Sequence, residues 1–315
     1  MSIGPTVIKA DETKRPIRVS AAESVFLRAV LYSSVFKYPL TLEELRRNLP
    51  DLKIEASSLL ALYDSSPFLK QVVEFSRGYF YPRGRREWIA LRGAREAVTR
   101  EALEVNQGFL RLIALIPWTR LVAVSGSAAH LNMDRGGDID LFIITRGSRV
   151  WSVACSILLL SKLAGKRKQV CFNFLLSDRR LALEREDIFT LSQMIHLKPL
   201  IGASVYRQFL EANPAVRKVY PNAFPTTGEP SYTPGWFAAS AKTVLELLLC
   251  FGLGQIFEVL CRSLYRRYLL GRSAAWSSPE EVVLAKDFLK LHSHSHRQEV
   301  LSRLESLLHE AFLRL

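Results

Sequence analysis

The sequence predicts an α+β / α/β protein: a small sheet domain, a helix-and-hairpin domain before it and a helical region after it. Three observations carry this. Residues 121–145, LVAVSGSAAHLNMDRGGDIDLFIIT, place a strand, a Gly-Ser turn, a helix start and a second strand in one run. Residues 19–85 order three short helical patterns ahead of two β-rich runs split by a Gly-containing turn. Beyond residue 235 the apolar positions follow helical spacing. A chain of 315 residues has room for two or three cores of its own.

Taken in order, residues 1–16 read as a flexible N-terminus. Ser20 then caps a helix carrying Val25, Phe26, Ala29, Val30 and Tyr32. Pro39-Leu40-Thr41 interrupts it, and Thr41-Leu42-Glu43-Glu44 reads as a capping box opening a second helix through Leu49. A third covers residues 56–64. Residues 72–75, the turn Ser76-Arg77-Gly78 and residues 79–81 read as a β-hairpin. Three helices and a hairpin, including the YPLTLEEL helix, resemble the winged-helix arrangement of many bacterial DNA-binding domains, here spanning residues 17–86. Arg46, Arg47, Arg77, Arg83, Arg85 and Arg86 are available for phosphate contacts. The helix EASSLLALYDSSP, which would enter a major groove, carries no basic residue to reach base edges. Nucleic acid and protein both stand as partners for residues 17–86.

Residues 87–118 form a connector whose Trp88, Leu91, Ala94, Val98, Ala102, Val105, Phe109 and Ile113 keep helical spacing until Pro117. Residues 119–213 hold the chemistry. Val122 and Val124 end a buried strand, Gly126-Ser127 breaks it, and Ala128, Ala129, His130 and Leu131 begin a helix. Asp138 and Asp140 lie two apart in an apolar run through Ile144, so a strand would project both carboxylates from one face. Paired carboxylates repel and are costly to desolvate unless a cation lies between them. Mg²⁺ suits such oxygen ligands and completes its shell with water and substrate phosphates. The Gly-Ser turn offers backbone N–H groups to those phosphates. A metal-bound nucleoside triphosphate needs both halves together.

Gly126-Ser127, ten intervening residues and Asp138-Ile139-Asp140-Leu141 resemble the signature of the DNA polymerase beta-like nucleotidyltransferase superfamily, over about a third of the chain. The resemblance implies a small mixed-sheet nucleotidyltransferase domain. It also implies Mg²⁺ at Asp138 and Asp140 and an NTP at Gly126 and Ser127, with His130 in reach of phosphate. The reaction would move a nucleoside monophosphate to an unidentified acceptor hydroxyl. Active relatives add a third carboxylate from a later strand, and the matching catalytic position here is Asn173, a neutral side chain and no base. Asp178, Glu184, Glu186 and Asp187 follow as substitutes. CFNFLLS, with residues 187–190 and 198–200, resembles a bacterial group of uncharacterised nucleotidyltransferase-like proteins. The alternative to an enzyme is an inactive nucleotide-binding regulator.

Further on, residues 150–164 read as an apolar helix, Lys166-Arg167-Lys168 as a basic turn, residues 169–176 as a third strand, and residues 181–208 as mostly helical, broken by Pro199. Residues 214–235 read as a linker and residues 236–315 as a helical region that completes the acceptor pocket or makes a homodimer. Its helices cover about 236–270 and 279–315, with His292, His294 and His296 as exposed helix residues. Lys242, Glu246, Gln255 and Glu258 interrupt residues 237–261 too often for a transmembrane segment. An amphipathic helix with Leu245, Leu248, Leu249, Gly252 and Ile256 inward fits better, and a seat on a membrane surface is the lesser alternative. The net charge of +13 favours polyanionic partners. Cys155, Cys171, Cys250 and Cys261, without CxxC spacing, read as reduced core residues of a cytoplasmic protein, and no signal peptide precedes the first helix. Neither a Walker loop nor HExxH nor GxSxG occurs.

Overall fold

A computed structural model describes residues 19–224, 232–250, 252–292 and 296–313. The protein is a mixed α+β structure with a six-stranded mixed sheet and a small three-stranded antiparallel sheet. Its chain forms two compact units: residues 1–94, 215–226 and 296–315 make the first, and residues 95–214 and 227–295 the second. The expected flexible N-terminus, residues 1–16, lies outside the described residues.

In the first unit, α1 (Ala21–Ser34) opens on the expected capping box, with Glu23 N donating to Ser20 Oγ and Ser20 N to Glu23. β1 (Leu40–Thr41) leads into α2 (Leu42–Arg47), whose Thr41–Glu44 box also forms. Glu44 does a second job: Arg92 donates to both of its oxygens, at 2.7 and 2.8 Å. That guanidinium is held over the Tyr38 and Tyr79 rings, 4.2 and 4.8 Å from their centroids. α3 (Ala56–Ser65), α4 (Pro67–Val72), β2 (Val73–Ser76) and β3 (Tyr79–Pro82) follow. Ser76 pairs with Tyr79, so Arg77-Gly78 is a two-residue turn, and both residues have positive φ. The unit's core joins Phe26, Leu45, Leu59, Phe68 and Phe80.

Two expectations change here. Residues 215–224 are not a bare linker: they form α10 (Ala215–Val219) and a turn at Pro221–Ala223, and Asn222 bonds Ile54 N and Leu52 O. The last helix, α13 (Arg297–Leu313), belongs to the first unit rather than to a separate C-terminal region. Its Leu304 and Ala311 enter that core and Phe312 stacks on Phe68. Apolar periodicity marks a helix's buried face without naming what buries it.

In the second unit the sheet order is β7-β4-β5-β6-β9-β8. α5 (Glu87–Ala114), the expected connector, starts in the first unit and runs on into the second. β4 (Thr119–Ser125) lies antiparallel to β5 (Ile139–Thr145). Through α7 (Val150–Leu163) the chain returns to β6 (Val170–Ser177), parallel to β5. Residues 181–208 hold α8 (Ile188–His196), then a strand that was not expected, β7 (Lys198–Ile201), and α9 (Ala203–Glu211). β7 pairs with β4, and Pro199 is tolerated on this edge strand.

The helical region also proves partly β. α11 (Trp236–Cys250) and α12 (Leu253–Leu270) precede a hairpin of β8 (Val282–Leu284) and β9 (Phe288–Leu291), which extends the sheet beside β6. His292 therefore follows a strand, His294 lies outside the described residues, and exposed His296 precedes α13.

α11 and α12 reverse the expected amphipathic pattern. Glu246 and Glu258 are the buried residues, while Leu245, Leu248 and Ile256 are exposed and Leu249 is half-buried. Glu246 accepts from Trp118 N and the Arg120 guanidinium, and Lys242 donates to Ala114 O and Thr119 O. Glu258 accepts from Trp151 N, Ser152 N and Ser152 Oγ, so α12 caps α7, whose own N-cap residue Arg149 makes no capping bond. Charged side chains are buried here where they satisfy backbone donors or acceptors at the start of a strand and of a helix. Among the cysteines, all reduced, Cys250 is exposed rather than in the core.

Candidate functional site

The site is assembled by three neighbouring strand ends. Register places Ser125, the last residue of β4, opposite Asp140 on β5, and Cys171 of β6 beside Asp140 from the other side. Ile139 and Leu141 point the other way and are fully buried, as the period-two reading requires. Asp138 stands just ahead of β5 and is exposed, whereas Asp140 is half-buried.

Gly126 follows β4 with φ +60°, and a Cβ there would lie 2.7 Å from Asp140 Oδ2. Any side chain would collide with the carboxylate, so the glycine is a steric requirement of this site. Ser127 beside it is exposed. The helix that follows, α6 (Gly126–Ala129), is a single turn, and Ser127 O accepts from Asn132 N. Its backbone N–H groups, rather than a summed helix dipole, are what it offers an anion.

Asn173 reaches the site by a local irregularity. Leu141 pairs with Phe172 and Phe142 with Phe174, leaving Asn173 as the extra residue of a bulge. Its Nδ2 donates to Asp140 Oδ1, and its Oδ1 accepts from Cys171 Sγ at 3.5 Å. Thus the position expected to supply a third carboxylate touches the second one, as an amide.

Burial pushes the Asp140 carboxyl up to about 7, and the Asp138 charge adds to it. Burial raises the Cys171 thiol to about 11, again helped by the charges of Asp138 and Asp140. The site is therefore a desolvated patch of negative potential with an acidic group held part-neutral at pH 7.

His130 is placed in a different pairing. Its ring lies 4.2 Å from that of His196, and burial, His196 and Lys198 together hold it well below the usual histidine range. It is neutral at pH 7 and brings no charge to a phosphate. Three of the four substitute acids have other work: Asp178 accepts from Gly147 N, Glu184 pairs with Arg180, and Asp187 caps α8. Among the described residues no group of three or more His, Cys, Asp or Glu is arranged to hold a metal.

The structure thus joins Gly126, Asp138, Asp140 and Asn173, with Ser127 next to Gly126 in the chain. Sequence reading missed Cys171, whose only signal is its place two residues before Asn173. It also missed the bulge, which has no local signature. No family model, curated protein or solved structure matches the chain.

Proposed function

We propose that this protein is a Mg²⁺-dependent nucleotidyltransferase that moves a nucleoside monophosphate from an NTP to an acceptor hydroxyl. The observation that carries the reading is Asp140: a carboxylate raised by burial and then by the Asp138 charge, with Gly126 against one oxygen and the Asn173 amide on the other. Such a group is stabilised by a cation, and Asp138 and Asp140 are the residues that would hold one. A donor set of two carboxylates fits Mg²⁺, which takes its remaining ligands from water and phosphates. When bound, the ion supplies charge neutralisation for the triphosphate and the departing pyrophosphate. Gly126 lets the Asp140 carboxylate lie against its backbone, and exposed Ser127 offers a hydroxyl donor. Asn173 orients Asp140 through its amide and takes no proton.

The first unit, the three expected helices and the short α4 followed by a β-hairpin, supports a winged-helix-like reading. Its exposed α3 positions are Ser57, Ser58, Ala61, Asp64 and Ser65, without a cation, while Arg46 is engaged by Glu43 and Arg83 by Lys70 O. This favours protein docking over base reading.

The first test is isothermal titration of NTPs with and without Mg²⁺. Wild type is expected to bind only with Mg²⁺, and Asp138→Asn/Asp140→Asn to lose that binding. A well-folded wild type that binds no NTP under either condition rejects the site.

The amide donated to Asp140 favours a second reading, a nucleotide-binding regulator without turnover. Asn173→Asp separates the two. For an enzyme the added carboxylate raises transfer by roughly ten-fold or more, the scale of a positioned general base. A variant that binds Mg²⁺–NTP more tightly and still transfers nothing points to the regulator.

A further inference from the structure

Of the large apolar side chains exposed among the described residues, most lie on α11 and α12. α11 contains only two charged residues, Lys242 and Glu246, and both are turned inward. Its outward side carries Phe237, Val244, Leu247 and Leu248, exposed by 72%, 54%, 59% and 61%. On α12 the buried seam is Gly254, Glu258, Cys261 and Tyr265, and Leu253, Ile256, Leu260 and Leu264 form the opposite ridge. A soluble surface rarely leaves so many large apolar side chains open on two successive helices.

The charge exposed along this segment has one sign. Between residues 232 and 279 the only acids are Glu246 and Glu258, and both are buried. Arg266 and Arg267 are exposed on the last turns of α12, Arg262 is half-buried there, and Arg272 follows, also exposed. Gln255, Arg262 and Arg266 share one edge by helical spacing. Between α7 and α12 lies a depression of about 250 Å³ lined by Leu158, Lys162, Arg167, Tyr265 and Tyr268. Exposed Leu159 and Leu163 of α7 stand next to its Leu158 and Lys162 in the chain.

We infer that α11 and α12 seat the protein on an anionic phospholipid surface, their apolar ridges in the acyl boundary and the arginines at the headgroups. Apolar outward ridges, an aromatic pair at Trp236-Phe237 and an edge that is only cationic are what an interfacial helix needs. A second copy of this chain would bring the same arginines against its own, with no exposed acid on either helix to receive them. Among the described residues no single helix is long and apolar enough to cross a membrane. α11 and α12 meet at 86°, which suits helices lying along a surface.

The test is flotation of the full chain with vesicles of phosphatidylcholine alone and of phosphatidylcholine mixed with phosphatidylglycerol. A polarity-sensitive dye on Cys250, the exposed cysteine, reports on α11 directly. Binding to the mixed vesicles with a blue shift of the dye is expected, weakening with salt. Leu248→Glu/Leu260→Glu changes only exposed positions and is expected to keep the fold, read by circular dichroism, while lowering partitioning at least about ten-fold. Arg262→Gln/Arg266→Gln/Arg267→Gln is expected to remove the preference for phosphatidylglycerol. No flotation with mixed vesicles overturns the inference. So does a lipid-free dimer that buries Cys250 and dissociates in the Leu248→Glu/Leu260→Glu variant.

Discussion

Asp140→Asn is expected to make the metal-free protein more stable than wild type at pH 8, by a margin that narrows as pH falls and closes near pH 4. The Asp140 carboxyl rises from 3.8 to about 7, through burial first and the Asp138 charge second, so the fold favours its neutral form. Between those values the native chain holds a proton that the unfolded chain has released. The group's contribution is greatest below about pH 4 and is lost as pH rises through about 7, by roughly 4 kcal/mol in all. An amide is neutral throughout, keeps an Oδ1 to accept from Asn173, and avoids that loss. Denaturant titrations of both proteins from pH 5 to 8, repeated with Mg²⁺, decide the matter. Mg²⁺ should raise wild-type stability at pH 8 and leave the variant unchanged. Parallel pH curves for the two proteins would mean that Asp140 is not held in the desolvated state described.

Glu258→Ala is expected to cost about 3–5 kcal/mol, among the largest effects a single exchange can have. The side chain is 2% exposed and accepts three hydrogen bonds, two of them from backbone N–H groups that open α7. Alanine leaves these donors buried and unpaired, beside a cavity. Chemical denaturation of the variant gives the number, and Glu258→Gln, which keeps one acceptor oxygen, should recover part of it. A loss below about 1 kcal/mol for alanine would show that water replaces the carboxylate there. The same residue was expected to interrupt an apolar helix from the solvent side, and its burial shows where pattern reading reached its end.

Much of the candidate site was legible because its signals are local. Gly126-Ser127 ends a strand wherever that strand goes, and Asp138 and Asp140 stay close because only one residue separates them. Asn173 was legible as a missing carboxylate. Its bond to Asp140 was not, because it depends on a one-residue bulge against a strand some thirty positions earlier. His130 looked open to phosphate, yet burial first and then His196 and Lys198, close to it only through the fold, hold its ring well below the usual histidine range.

The two capping boxes, the Arg77-Gly78 turn and the helices α1, α2, α3, α5 and α7 follow from residues within a few positions of one another, so chain order alone specified them, whereas the short α4 was not foreseen. Strands β7, β8 and β9 are only three or four residues long, and β7 and β9 lie on edges that β4 and β6 offer. The inward and outward sides of α11 and α12 were likewise settled by distant partners. Trp118, Arg120, Trp151 and Ser152 present donors that draw Glu246 and Glu258 inward. Periodicity states which residues share a face; satisfying buried polar groups decides which face goes in.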